Sequence, residues 1–242
     1  MVKKIIYRDI TFINFNLKKI NILFKKKGLF VFPAGPTLAN MEINSQYHQS
    51  LRQADYVFFD SGYFVLLLRI FKLLNVKKFS GFRFLEFFFK YLSKNKDKKV
   101  FSIDPNLKQS SINREYFQKM GVKKVYSYIA PIYKNSNIVD KKLINEIKKI
   151  KPDFILTNIA GGKQEILGLY LKKKLSFKTS IYCTGAAISF FTGQQPPVNK
   201  FFDYLYLGWF IRILFNPKLF LLRYLSAFKL TQNVLREKML IK

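Results

Sequence analysis

The sequence predicts an α/β fold: a doubly wound, mostly parallel, Rossmann-like sheet in two halves, followed by a C-terminal helical appendage. Three observations predict it. Short apolar runs of strand length alternate with helix-patterned segments, the signature of βαβ units joined by right-handed crossovers. The stretch Lys151–Glu165, KPDFILTNIAGGKQE, runs from strand through glycine turn to helix start, an edge where unpaired helix N–H groups can face a ligand. From Gln194 onward the composition changes, and Pro196-Pro197 closes the α/β core.

In order along the chain, Ile10–Phe15 alternates as a strand, and a basic helix spans Leu17–Lys26 until Gly28 stops it. Leu29–Phe32 is a compact strand ending in a turn-rich loop, Pro33–Thr37. Asn44 or Ser45 caps a polar helix running to about Gln53. Tyr56–Phe59 is a strand that ends at Asp60-Ser61-Gly62, and Tyr63–Leu74 is an apolar helix. Phe84–Leu92 follows as a helix with aromatics on nearly every side. Lys94–Lys99, KNKDKK, reads as a solvated hinge between the halves of a core spanning 1–195. The second half holds strand Val100–Ile103, helix Ser110–Met120, strand Val122–Tyr126 and helix Lys141–Lys149. Strand Phe154–Thr157, helix Ile166–Lys174 and strand Ser180–Cys183 complete it.

The tail, 196–242, is basic and apolar, and Pro217 divides it into two helices. Basic residues beside Trp209 and several Phe suit either an interfacial helix on anionic lipid or a helix pair packed on the core. Neither Tyr63–Leu74 nor Phe201–Phe215 reaches the ~20 uncharged residues that cross a bilayer.

A net charge of +29, from 43 Lys+Arg against 14 Asp+Glu, suits a polyanion: nucleic acid, an anionic membrane face or a diphosphate substrate. The single cysteine, Cys183, argues against a disulfide scaffold or cysteine metal site and fits a reduced, cytoplasmic setting. Met1–Asp9 lacks the apolar core of a secretory signal. There is no Asp-x-Asp pair for a divalent cation, no P-loop and no G-x-S-x-G turn. The one histidine, His48, reads as a surface residue on a polar helix, and Cys183 has no histidine placed to activate it. Two carboxylates stand at strand ends. Asp60 and Asp104 each read either as a general base toward an alcohol or as the cap of the next helix. Gln164 and Glu165, at a helix start, are equally open.

Taken together, AD-Y-V-FF-D-S-G (54–62), K-F-S-G (78–81), PDFILTNIAGGKQE, TGAAISFFTG (184–193), the Pro pair, W-F-I-R (209–212) and Pro217 through Arg223-Tyr224 resemble the WecG/TagA/CpsF-type glycosyltransferases, family 26. The resemblance spans roughly residues 29–230. It implies a metal-independent, inverting transfer of a sugar of the N-acetylmannosamine type. The donor would be a UDP-sugar and no other cofactor is implied. The acceptor would be a polyprenyl-diphosphate-linked glycolipid in cell-surface polysaccharide synthesis. Asp60 falls on the family's base, and Thr37, or alternatively Asn40, on its acceptor pocket. Lys78 stands where the family has Arg. Lys163 and Gln164 fall on its P-K-Q-E motif, and Arg212 and Arg223 on arginines that an appendage closing at the membrane brings to the diphosphate. Asp60-Ser61 replaces Asp-Gly, Gly162 replaces Pro, Ser189 replaces Asp and Gly208 replaces Glu. The partners implied are the UDP-sugar, the lipid-linked acceptor, an anionic membrane surface on the cytoplasmic side and a possible homo-oligomer, with no nucleic acid. Two rivals remain at this point: a nucleic-acid-binding protein, and an inactive relative kept as a membrane scaffold.

Overall fold

The computed structural model describes residues 3–43, 45–134, 137–195 and 225–241, together with residues 214 and 217. Strands β1 (Lys3–Tyr7) and β2 (Ile10–Asn14) form a hairpin, with Arg8 and Asp9 at positive φ in its turn. A 3-10 turn, Leu17–Lys19, and the short helix α1 (Ile20–Leu23) follow. The single basic helix expected over Leu17–Lys26 is therefore broken. Next come β3 (Gly28–Val31), α2 (Gly35–Ala39) and α3 (Gln46–Arg52), the last capped by Ser45. The expected loop at Pro33–Thr37 instead starts a helix, because Pro36 at its first turn needs no N–H partner. After β4 (Tyr56–Phe58) come α4 (Gly62–Phe71) and α5 (Gly81–Lys94). The second half is β5 (Lys99–Asp104), α6 (Leu107–Lys119), β6 (Lys124–Ile129), α7 (Lys141–Ile150), β7 (Phe154–Thr157), α8 (Lys163–Lys174) and β8 (Ser180–Cys183).

Among the described residues these strands join in one sheet, in the order β6-β5-β7-β8-β3-β4-β2-β1, and a last strand, β9 (Leu240–Ile241), extends it past β1. The strands from β6 to β2 are parallel, while β1 and β9 run antiparallel at one edge. The two halves meet where β8 pairs with β3, so the sheet runs unbroken between them. The turn at Asn95–Lys98 is pinned by Asp153, whose carboxylate accepts from the Lys99 amide at 2.9 Å and the Lys98 ammonium at 3.2 Å.

Alternate residues of each central strand enter different cores, as a sheet covered on both faces requires. Leu29, Val31, Ile155, Ile181 and Cys183 face one side. Phe30, Phe32, Phe154, Leu156 and Tyr182 face the other, against Phe84 and Phe88 of α5. This second core is largely aromatic: Phe84 lies 4.7 Å from Tyr182 and Phe88 lies 5.0 Å from Phe154, both edge-on. The abundance of phenylalanine is thus used in packing, at about 0.5–1.5 kcal/mol per well-set ring pair beyond burial itself.

The end of the chain belongs to this body. Ser226–Phe228 forms a 3-10 turn and α9 (Lys229–Arg236) follows, with Leu230 and Val234 fully buried in the first core. The Tyr63 and Thr231 hydroxyls are 2.6 Å apart, Asn233 donates to the Ala39 carbonyl, and Arg8 pairs with Glu237 at 3.0 Å. Of the expected appendage, 196–242, residues 225–241 pack on the core, α9 through its apolar stripe and β9 along the edge of β1. No helix among the described residues is long and apolar enough to cross a membrane.

Candidate active site

Because β3, β4, β7 and β8 are parallel, their C-terminal ends open on one edge. There the segments 33–37, 60–62, 158–162 and 184–185 assemble. At the end of β4, Ser61 caps α4, its Oγ accepting from the Phe64 amide. Asp60 therefore does not cap the helix that follows it. Its Oδ1 accepts instead from the Gly81 amide at 2.8 Å, at the positive end of α5. The Phe79 amide donates to the Phe59 carbonyl at 2.9 Å, which brings the half-buried Lys78 to the same edge.

Thr37, on α2, lies against the glycine turn after β7: a Cβ built on Gly161 would stand 3.4 Å from its Oγ1. Gly162, at φ 88°, opens α8. Its amide donates to Glu165 Oε2 at 2.7 Å, and Glu165 Oε1 accepts from the Gln164 amide nitrogen at 3.0 Å. The Gln164 Oε1 in turn accepts from the Gly185 amide at 2.6 Å. Glu165 is 1% exposed, and burial raises its pKa to about 7, with the nearby Asp60 carboxylate adding to the rise. Beside this acid, on α3, the Tyr47 hydroxyl is buried with no hydrogen-bond partner among the described residues. Burial first, and then Glu165 and Asp60, push its pKa well up.

The chain winds from β5 out to β6 but from β7 the opposite way to β8, so the crevice between β5 and β7 is the topological switch point. Asp104 and Asn158 end these strands. Asp104 is fully buried, its Oδ1 accepting from Ser102 Oγ, Asn113 Nδ2 and Asn158 Nδ2 at 2.9, 2.7 and 2.8 Å. The cap of α6 is Asn106, and burial raises the Asp104 pKa against these hydrogen bonds. Enclosed in this way, Asp104 is an internal polar anchor rather than an exposed counterpart of Asp60.

The structure therefore brings Asp60, Lys78, Thr37 and the turn before Lys163-Gln164 to one edge. Lys163 reaches the Lys134 carbonyl at 3.1 Å, and the buried Gln164 amide is engaged by its own protein neighbours. Asn40 is exposed and donates to the Pro36 carbonyl and Ser226 Oγ, facing the C-terminal segment. Arg212 and Arg223, with Trp209, lie outside the described residues. His48 corrects an expectation: it is 2% exposed, its Nε2 lying 2.8 Å from the Arg8 carbonyl of the β1–β2 turn. Sequence reasoning missed Tyr47 and the Gly185 turn, and left Glu165 undecided. Only the P-K-Q-E-like text pointed toward the last.

Strands that deliver Asp60 and the Gly161–Gly162 turn to the same edge define a class, an α/β enzyme working at the C-terminal edge of its sheet. The sequence model of the Glycosyl transferase WecG/TagA/CpsF family matches residues 9–242, and the chain belongs to that family. It is a glycosyltransferase, of a kind acting in cell-surface polysaccharide synthesis with a sugar-nucleotide donor and a lipid-linked acceptor. A comparison with curated proteins found no match.

Proposed function

We propose that this enzyme moves a sugar of the N-acetylmannosamine type from UDP to a polyprenyl-diphosphate-linked acceptor, with inversion and without a metal ion. Asp60 takes the proton of the acceptor hydroxyl. The freed oxygen attacks the anomeric carbon from the face opposite UDP, the bond from that carbon to the diphosphate oxygen breaks, and UDP leaves with the electron pair. Lys78 and Lys163 supply positive charge at this edge, Thr37 and Asn40 line the acceptor side, and Gln164 shapes the donor side. Arg212 and Arg223 offset the charge growing on UDP. The excess of Lys and Arg suits a diphosphate substrate and an anionic membrane on the cytoplasmic side.

The observation that carries this reading is the Asp60–Gly81 hydrogen bond, which fixes one carboxylate oxygen at the sheet's C-terminal edge. The absence of an Asp-x-Asp pair supports the metal-free part. The test is transfer by purified protein from UDP-N-acetylmannosamine to a short-chain lipid-diphosphate acceptor, in excess EDTA. Product of inverted configuration at an undiminished rate is expected. A rate lost in EDTA and restored by magnesium or manganese overturns the metal-free mechanism. Absence of turnover with every UDP-sugar overturns the reading and favours the inactive scaffold.

A further inference from the structure

We propose that Glu165 is the positioning residue of this site, a buried clamp that locks the turn after β7 to the turn after β8. The proposal rests on the sugar-transfer reading only for its effect on turnover; the clamp itself is a matter of hydrogen bonding.

One carboxylate oxygen holds the Gly162 amide at the start of α8, and the other holds the Gln164 side-chain amide. That orientation of Gln164 leaves its Oε1 to accept from Gly185, the first residue of the 3-10 turn that follows β8. Thr157 Oγ1, at the end of β7, lies 3.5 Å from the same oxygen. Two loops of the candidate site are thus tied through one acid. The two turns are closely packed here, since a Cβ on Gly185 would stand 3.3 Å from Gln164 Nε2.

In the clamp Glu165 accepts at both oxygens, which the ionised carboxylate does at full strength. Protonation turns one oxygen into a hydroxyl, a weaker acceptor that carries a donor of its own. Where that hydroxyl meets Gln164, the amide turns its carbonyl toward the acid, and its NH₂ meets the Gly185 N–H, donor against donor. Protonation at one residue therefore opens a turn on the neighbouring strand. The groups that face Glu165 from the elements around it are Asp60 after β4, Tyr47 on α3 and Cys183 on β8. Burial holds the Tyr47 hydroxyl and the Cys183 thiol neutral, so Asp60 is the charge that opposes ionisation of Glu165.

The experiment is amide hydrogen exchange at Gly162 and Gly185, followed from pH 6 to pH 8 in the wild type and in Glu165→Gln, with turnover measured over the same range. After correction for intrinsic exchange, Gly185 in the wild type should lose about tenfold in protection as pH falls through about 7, the scale of one lost hydrogen bond. Glu165→Gln should show the low protection at every pH, with Gly162 still protected. Its kcat should fall about tenfold or more, with a smaller change in KM, and its rate should lose the wild-type acid limb near pH 7. Gly185 protection that ignores both pH and the substitution overturns the clamp, and so does a variant that keeps the acid limb. The wild-type pH series judges the clamp even if the variant folds poorly. If no UDP-sugar is turned over, the transfer reading fails while exchange still decides the clamp.

Discussion

The Asp60 carboxylate and the Gly81 amide, 21 residues apart, meet at 2.8 Å across the gap between two helices. A backbone donor cannot rotate away, so it sets the direction of the other carboxylate oxygen more firmly than a side-chain partner would. Asp60→Asn keeps an acceptor for Gly81 and removes the basic oxygen. The variant should fold and melt close to wild type while turnover falls about 10²-fold or more. Near wild-type transfer would remove Asp60 from the mechanism.

Gly168 is where α8 meets the sheet most closely. A Cβ there would stand 2.7 Å from both Cys183 Sγ and Leu29 Cδ1. The leucine tip can move, but Cys183 is fixed in β8 and bonded to the Gln164 carbonyl. Alanine would gain about 1 kcal/mol in helix propensity and lose about 1–3 kcal/mol to overpacking. Gly168→Ala should therefore be destabilising in chemical denaturation. A gain in stability would show that α8 can lift from the sheet without cost.

Leu230 tests whether α9 is structural. It is fully buried, so Leu230→Ala should cost about 2–5 kcal/mol, and a chain ending before residue 225 should unfold at a markedly lower temperature. A truncated protein of unchanged melting temperature would mean that the core is complete without these residues.

Asp104 offers a test with a pH sign. Its pKa in the folded chain is raised above 3.8 by burial, so its contribution to stability is present below that value and is lost as pH rises through the folded pKa. Asp104→Asn keeps the acceptor used by Ser102, Asn113 and Asn158 and has no ionised form to bury. The variant should match or exceed wild-type stability at pH 8, with its advantage shrinking toward pH 4. Asp104→Ala, which leaves those donors unmet, should lose about 3 kcal/mol or more. An asparagine variant that melts far below wild type at pH 8 would show that the ionised carboxylate is what the network needs.

The central strands were legible because each is a short apolar run closed by turn residues. Ser180–Cys183 is found with the expected bounds, and Phe154–Thr157 likewise. Strand β1 was not, since Lys3 and Lys4 make it look like a charged leader, and it exists through pairing with β2 and β9. Strand β6 lies later than expected, at Lys124–Ile129, because an edge strand tolerates the exposed lysine at its start. In the site, Asp60 and the glycine turn were readable as strand-end residues. Burial was not: local pattern says nothing about distant elements closing over His48, Glu165 or Tyr47, and each owes its burial to contacts remote in sequence.

The last described segment changes what kind of object the basic, apolar stretch is. Its upstream end leaves from Gln195, just after a turn whose Phe190 and Phe191 pack on Phe82 beside Gly81. Its downstream end returns at Ser226, hydrogen-bonded to Asn40 at the end of α2. Both landing points border the edge that carries Asp60 and Thr37. The described chain therefore leaves and rejoins the body on one border of the site, so a substitution at Phe191 or at Ser226 is felt at the edge that carries Asp60 and Thr37 from two separate directions.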